Sequence, residues 1–422
     1  MHRRRFLVIV CCCLLLSCQM QAQYSKLYNS NLQTLRIEKD GKLCKFPLLQ
    51  LHQDDQLNFS FDYLTHEYNR FTYKVEHCDC NWQVTSDLFE SEYLVSAGNE
   101  DVIDEYQQSL NTSLQYTHYH LNIPNSDLKI LLSGNYKLSI FSDEGDDGEP
   151  ELIAETFFYV VDPLVSIKAQ PTTNTDIDRN NKHQQLDVEV STNNLQIRDA
   201  SEEIKIIVLQ NNRWDCAAYS PKPTAVTNNR LLWEHCRELI FPAGNEYRKF
   251  EMLSTHYPGY RIDKIRWIPP YYHVALYADV PRKNYIYDED QNGLSVLRSE
   301  NGYDPNTEAE YVMVHYDLES DYLDNCTVYI DGLWNTEGLT PKTEMTYNFE
   351  RKAYEMSILQ KMGYYNYKYI VVRNGISSHE DNILEGNFFQ TENEYTILVY
   401  YQKKGERYDQ LIGYSNFSYR PK

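Results

Sequence analysis

A side-chain period of two constrains this chain more than any other feature. Gln56-Leu57-Asn58-Phe59-Ser60-Phe61 alternates polar and apolar residues, as does Leu186-Asp187-Val188-Glu189-Val190. Tyr136-Lys137-Leu138-Ser139-Ile140-Phe141 does nearly the same. Successive side chains of a strand point to opposite faces, so this pattern buries one face and leaves the other in water. Such segments recur at short spacing with Asn, Asp and Gly clusters between them, which is the rhythm of antiparallel β-sandwiches. The 37 tyrosines fit the same reading, since aromatic rings suit pleated, half-buried surfaces. Residues 100–108 alone read as a short helix.

The pattern predicts an all-β chain of three tandem immunoglobulin-like antiparallel β-sandwich domains. The first covers residues 23–163 and closes on a strand followed by Asp162-Pro163, a linker signal. The second covers residues 164–304 and holds a polar stretch, 172–183, too poor in apolar residues to form core. The third covers residues 305–422, after Asp304-Pro305-Asn306 and a fresh strand at 310–316.

Residues 1–22 read as an export signal. Arg3, Arg4 and Arg5 precede an apolar run from 6 to 16 that is too short to span a bilayer. Its ending, Leu15-Leu16-Ser17-Cys18, resembles the lipobox of bacterial lipoproteins, which implies acylation of Cys18. Cleavage after Ala22 is the competing reading and would release a soluble periplasmic or secreted chain. Either way the mature protein leaves the cytoplasm.

The 61 acidic against 40 basic residues give a net charge of -21, and loss of the arginine head makes it more negative. That balance argues against nucleic acid, whose phosphates need a basic surface. Outside the leader lie Cys44, Cys78, Cys80, Cys216, Cys236 and Cys326. An oxidising compartment permits disulfides, and Cys216 with Cys236, flanking a turn-rich segment, is the expected pair. His77-Cys78-Asp79-Cys80 lacks zinc-ligand spacing, so no metal is expected there.

No catalytic signature is present: there is no Gly-rich phosphate loop, no G-x-S-x-G and no H-E-x-x-H. His118 and His120 alternate on a strand and face one side, with a structural or surface role expected. Asp288, Asp290 and Asn292 alternate before Gly293 as in a calcium loop, but position twelve is Ser299, so a turn is expected. No enzyme activity and no cofactor are expected.

In the last block, Val328-Tyr329-Ile330-Asp331-Gly332-Leu333-Trp334-Asn335, Met345-Thr346-Tyr347 and Gly363-Tyr364-Tyr365-Asn366-Tyr367-Lys368-Tyr369 stand in order. This resembles the glycogen-binding type of immunoglobulin-like domain, which implies sugar binding if Trp334 lies exposed on a flat face. A carbohydrate-binding outer-membrane lipoprotein is therefore the alternative function.

A resemblance that spans all three blocks is carried by other segments. They include Tyr73-Lys74-Val75-Glu76-His77-Cys78-Asp79-Cys80-Asn81-Trp82, Ser133-Gly134-Asn135-Tyr136 and Leu209-Gln210-Asn211-Asn212-Arg213-Trp214. Phe241-Pro242-Ala243-Gly244-Asn245-Glu246-Tyr247-Arg248, Glu385-Gly386-Asn387, Thr391-Glu392-Asn393-Glu394-Tyr395 and Arg407-Tyr408-Asp409-Gln410 continue it. The chain resembles the plug-protein family of the Bacteroidota type IX secretion system, with Cys80 departing from the small or acidic residue usual there. The resemblance implies a non-enzymatic plug at the periplasmic end of the type IX translocon, an outer-membrane barrel. It would seal the channel when no cargo shuttle is bound. It implies a periplasmic location at the inner face of the outer membrane, a monomer by itself, and membrane contact only through a lipid anchor. Arg407, Tyr408 and Asp409, just after the turn Lys403-Lys404-Gly405, are the expected partner-binding residues. A charged pair beside a turn should face solvent. Tyr365, Tyr367 and Tyr369 share one strand face, expected to pack inside, and Tyr364 lies on the other.

Overall fold

The computed structural model of the chain describes residues 24–421 except 97–100, 144–148, 193–194, 196, 228 and 374–381. Cys18 and Ala22, the two processing positions, lie outside the described residues. The alternating segments are strands: Leu57–Tyr63, Gly134–Ser142 and His183–Ser191 carry the three patterns read from the sequence. Antiparallel sheets dominate, and the all-β sandwich reading holds.

The first unit packs two sheets face to face. One is ordered Lys26–Leu27, Glu151–Val161, Gly134–Ser142, Phe71–Cys78, Val102–Ile103, with Leu48–Gln50 running parallel to Glu151–Val161. The other is ordered Lys42–Leu43, Leu32–Lys39, Leu57–Tyr63, Thr117–Ile123, Glu105–Gln108. Leu57, Phe59, Phe61, Val75, Leu138 and Phe158 fill the space between them. The helix expected at 100–108 is instead the strands Val102–Ile103 and Glu105–Gln108. Glu105–Gln108 is exposed throughout and edges its sheet, so burial gives it no period to read.

The tandem order is corrected by strand pairing. Ile204–Gln210 of the middle unit pairs with Asn393–Tyr401, which pairs with Gln410–Tyr419. The two last strands thus complete the middle sandwich, whose other sheet is built on Ser166–Thr172, His183–Ser191 and Arg230–Trp233. Between the two halves of this unit, a third sandwich is inserted. Its strands Ile262–Ile268 and Tyr271–Leu276 join Tyr311–Glu319, and Arg248–Glu251 and Ser295–Leu297 join Gly363–Arg373. The expected 304/305 boundary therefore falls inside one core, which runs from Phe250 and Ile262 to Tyr369 and Val371. Asp304-Pro305 marks a helix start rather than a linker. The Asp304 carboxylate accepts from the Asn306 amide at 3.0 Å, and Pro305 opens the short helix Pro305–Glu308.

The expected Cys216–Cys236 disulfide is also corrected, since both are free thiols. Cys236 packs in the core of the middle unit and donates to the Glu238 carboxylate at 3.2 Å. Cys216 lies on the strand Arg213–Tyr219, close enough to Lys368 of the inserted unit to feel its charge. The two thiols serve different contacts. The calcium-like run is a turn: Asp290 accepts from the backbone amides of Tyr247 and Asn292, and Asp288 pairs with Lys249 at 2.6 Å.

Candidate functional site

The contacts that distinguish this chain from three beads on a string lie between its units. Asn393–Tyr401 is buried at every position. Tyr395, Ile397 and Val399 face the core of the middle unit, while Leu398 and Tyr400 face the first unit. Ile204–Gln210 divides the same way, with Ile206 and Val208 turned inward and Ile207 and Leu209 turned to the neighbour. Against them the first unit sets Cys78, Cys80, Trp82, Tyr159 and Val161. Each large apolar side chain so buried contributes about 1.5–3 kcal/mol before entropic costs. The Tyr400 hydroxyl donates to Asn135 at 2.8 Å, and the Tyr219 hydroxyl to the Cys80 carbonyl at 2.5 Å.

Arg407, Tyr408 and Asp409 belong to this seam. Asp409 is buried, accepts from the Cys80 amide at 3.0 Å and pairs with Lys205 at 3.1 Å. Tyr408 meets His77 edge-on at 5.5 Å. Arg407 is exposed and bonds the Asp87 carbonyl and the Glu92 carboxylate of the first unit. The expected solvent-facing charged pair is therefore split: Arg407 does face solvent, but Asp409 is buried because the loop after Tyr401 folds over the first unit, which supplies the Cys80 amide. His77 is walled in by this loop, and burial pushes its imidazole from the usual 6.5 down to about 4. Gly134 makes room for the ring, since a Cβ there would lie 2.3 Å from Nε2 of His77.

The first and inserted units meet through a buried ion pair. Lys361 Nζ lies 2.7 Å from Asp62 Oδ2, with the two side chains 0% and 1% exposed. Asp62 also accepts from the Tyr311 hydroxyl at 2.5 Å and from His118 Nδ1 at 2.8 Å. Burial alone would raise the Asp62 pKa; the Lys361 ammonium and His118 outweigh it and hold the carboxyl below its usual range. Lys361 sits 4.2 Å over the Tyr116 ring and donates to the Asn306 carbonyl at 2.8 Å. Beside it, Glu310 accepts from the Ser113 amide and hydroxyl at 2.7 Å each. His118 is thus structural, as is His120, which pairs with Glu105 at 2.6 Å.

The middle and inserted units are joined by two chain crossings that bond to one another. Asn245 Nδ2 donates to the Glu385 carbonyl at 2.8 Å, and Asn393 Nδ2 to the Ala243 carbonyl at 2.9 Å. Within the inserted unit, Arg248 lies between Glu385 and Asp279, at 2.9 Å from each. Tyr367 and Tyr369 both donate to Asp279 at 2.8 Å, and these two, with Tyr365, face the core. Trp334 is half-buried, packs on the same core and donates to the Asn366 carbonyl at 2.9 Å, so its ring is no flat exposed platform.

A cavity of about 310 Å³ lies where the three units meet, lined by Tyr24, Arg36, Arg213, Asp331, Trp334 and Gln360 among others. The Tyr24 hydroxyl reaches Asp215 at 3.2 Å, and the Leu27 amide reaches Glu337 at 3.2 Å. The first described residues thereby tie all three units together. Burial, aided by the Arg213 charge, brings Lys368 down to about 8 near this junction. No group of three or more metal-ligating side chains occurs among the described residues.

Sequence reasoning missed these seams, although it had singled out many of the residues. Cys78, Cys80, Trp82, Asn135, Asn211, Asn245, Glu385, Asn393 and Asp409 all came from the segments that carried the family resemblance. The signal available was thin: Asn135 and Asn393 are polar side chains within otherwise apolar strands, whereas Cys80, Trp82, Asn211, Asn245, Glu385 and Asp409 lie in turns and loops.

Fold and junctions define a class: a non-repeating all-β protein whose units are welded through buried surfaces, with one unit inserted in another. Residues 32–162 match the family described as Type 9 secretion system plug protein 1st domain, and the chain belongs to the type 9 secretion plug family. A hypothetical protein from Parabacteroides merdae, solved by crystallography, is 38% identical, with 94% of this chain and 100% of that chain covered at a TM-score of 0.90. The C-terminal domain of the Streptococcus agalactiae polypeptide BspA aligns over 91% of this chain and 97% of its own at 8% identity. Its TM-score of 0.15 carries no argument. No curated protein matches the chain significantly. The family match points to a role associated with type IX secretion, at the cell envelope.

Proposed function

We propose that this chain is a non-enzymatic plug that binds the periplasmic end of the type IX outer-membrane barrel and closes its channel when no cargo shuttle is bound. The observation that carries the proposal is the closed triangle of interunit contacts. Each unit is bonded to both others, by the Cys80–Tyr400 seam, the Asp62–Lys361 pair and the Asn245–Glu385 crossing. Beads on flexible linkers would bend in an aqueous pore, whereas a triangle of welded sandwiches keeps its breadth. The chain would work as a monomer in the periplasm at the inner face of the outer membrane, with acylation of Cys18 as its anchor. Purification of a tagged chain from the outer membrane tests this. The barrel should elute in stoichiometric amount, with no retention of the chain on glycogen resin. Elution without the barrel sinks the proposal.

A further inference from the structure

The hairpin of Ile262–Ile268 and Tyr271–Leu276 breaks the rule that a sheet has one wet face. Trp267 pairs with Tyr272 across it, and Ile268 pairs with Tyr271. Successive residues face opposite ways, so large apolar side chains stand on both faces of the tip. Residues 266–270 are all exposed, Trp267 at 48% and Ile268 at 51%. The rings of Trp267 and Tyr272 lie 4.7 Å apart and leave the remaining apolar surface to solvent. An occupant must surround this tip from both sides.

Two further features select what that occupant is. The turn is Pro269-Pro270, and proline has no amide hydrogen, so the tip carries no backbone donor that would be stranded in an apolar medium. The charge also reverses locally. In a chain with 61 acidic residues, none falls between 264 and 278; Arg266 and Lys264, the latter paired with Asp263 at 3.1 Å, flank the tip, and His273 is hydrogen-bonded to His315 at 2.8 Å. Trp and Tyr above a basic collar fit the interfacial zone of a bilayer, where rings sit at headgroup level and cations meet lipid phosphates.

We propose that residues 266–272 form a membrane finger that inserts Trp267, Ile268 and the diproline turn into the headgroup region of a phospholipid leaflet. The contact is protein-borne, apart from any acyl anchor. It would orient the inserted unit against the membrane independently of whether a translocon is bound.

The test uses the chain beginning at Gln23, which holds every described residue and lacks Cys18. It is mixed with vesicles of phosphatidylethanolamine containing a minor fraction of phosphatidylglycerol and no protein. Of the five tryptophans, all in the described residues, only Trp267 is exposed, so its emission reports the finger. Sedimentation with vesicles and a blue shift are expected. Trp267→Phe should keep sedimentation and lose the shift, and Ile268→Glu should weaken sedimentation at least about tenfold. Because the tip is exposed, both variants should keep the parental thermal midpoint. Absence of sedimentation, or sedimentation unaltered by Ile268→Glu, overturns the proposal. Binding seen only when purified barrel is present in the vesicles also overturns it and assigns the finger to a protein partner. The vesicle arm contains no barrel, so its failure is separate from failure of the plug reading.

Discussion

Replacing Lys361 by methionine should loosen the first unit from the inserted one. The pair it forms with Asp62 is 2.7 Å long and essentially without solvent exposure, so the small values of surface ion pairs do not apply. Methionine fills most of the stem volume but leaves Asp62 buried without its Lys361 partner, held only by Tyr311 and His118. It also removes the donor to the Asn306 carbonyl and the cation over Tyr116. Removing one partner of a buried pair costs about 3–5 kcal/mol, most of it the stranded charge. The double variant Asp62→Asn with Lys361→Met removes that charge and keeps an oxygen for Tyr311. It should recover at least about 2 kcal/mol of the loss. Urea unfolding followed by tryptophan emission and circular dichroism gives both quantities. A cost below about 1 kcal/mol for Lys361→Met, or strict additivity in the double variant, would refute a buried charged weld.

Asp409→Ala should cost about 1–3 kcal/mol through the unpaired Cys80 amide and Lys205, while Arg407→Ala, at an exposed pair, should leave the thermal midpoint in place. Equal effects would mean that the loop does not clamp the first unit. His77 has a folded pKa depressed from 6.5 to about 4, so the native state resists its protonation. Its contribution should be intact above pH 6.5 and fall by on the order of 2–3 kcal/mol as pH drops towards 4. His77→Gln should lose that part of the pH slope, and an unchanged slope contradicts the burial argument. Peptide mapping after alkylation in denaturant without reductant should find both Cys216 and Cys236 modified, whereas a linked peptide would restore the disulfide.

Much of the fold was legible because half-buried strands announce themselves. Gly134–Ser142 and His183–Ser191 each keep a recognisable alternation. The chain order of the units was not legible, for a physical reason. Asn393–Tyr401 and Ile204–Gln210 are buried on both faces, so their sequences read as apolar runs with no hint of which partner each face takes. Nothing local in Gln410–Tyr419 tells that it completes a sheet begun some two hundred residues earlier rather than the nearer sandwich. The Asp304-Pro305 signal was real but ambiguous, because a helix cap and a linker use the same two residues. Arg407 and Asp409 were noticed as unusual charges beside a turn. Their role depended on a surface that only folding brings near. Lys361 and Asp62 drew no attention, since a lone charge in a strand is ordinarily on the wet face.

The proposed plug would seal the type IX barrel. This sealing is tested most directly by outer-membrane permeability in four strains: with and without this chain, each in the presence and absence of the barrel. Loss of the chain should admit large antibiotics when the barrel is present and change nothing when it is absent. Equal leakage in both backgrounds would contradict the plug.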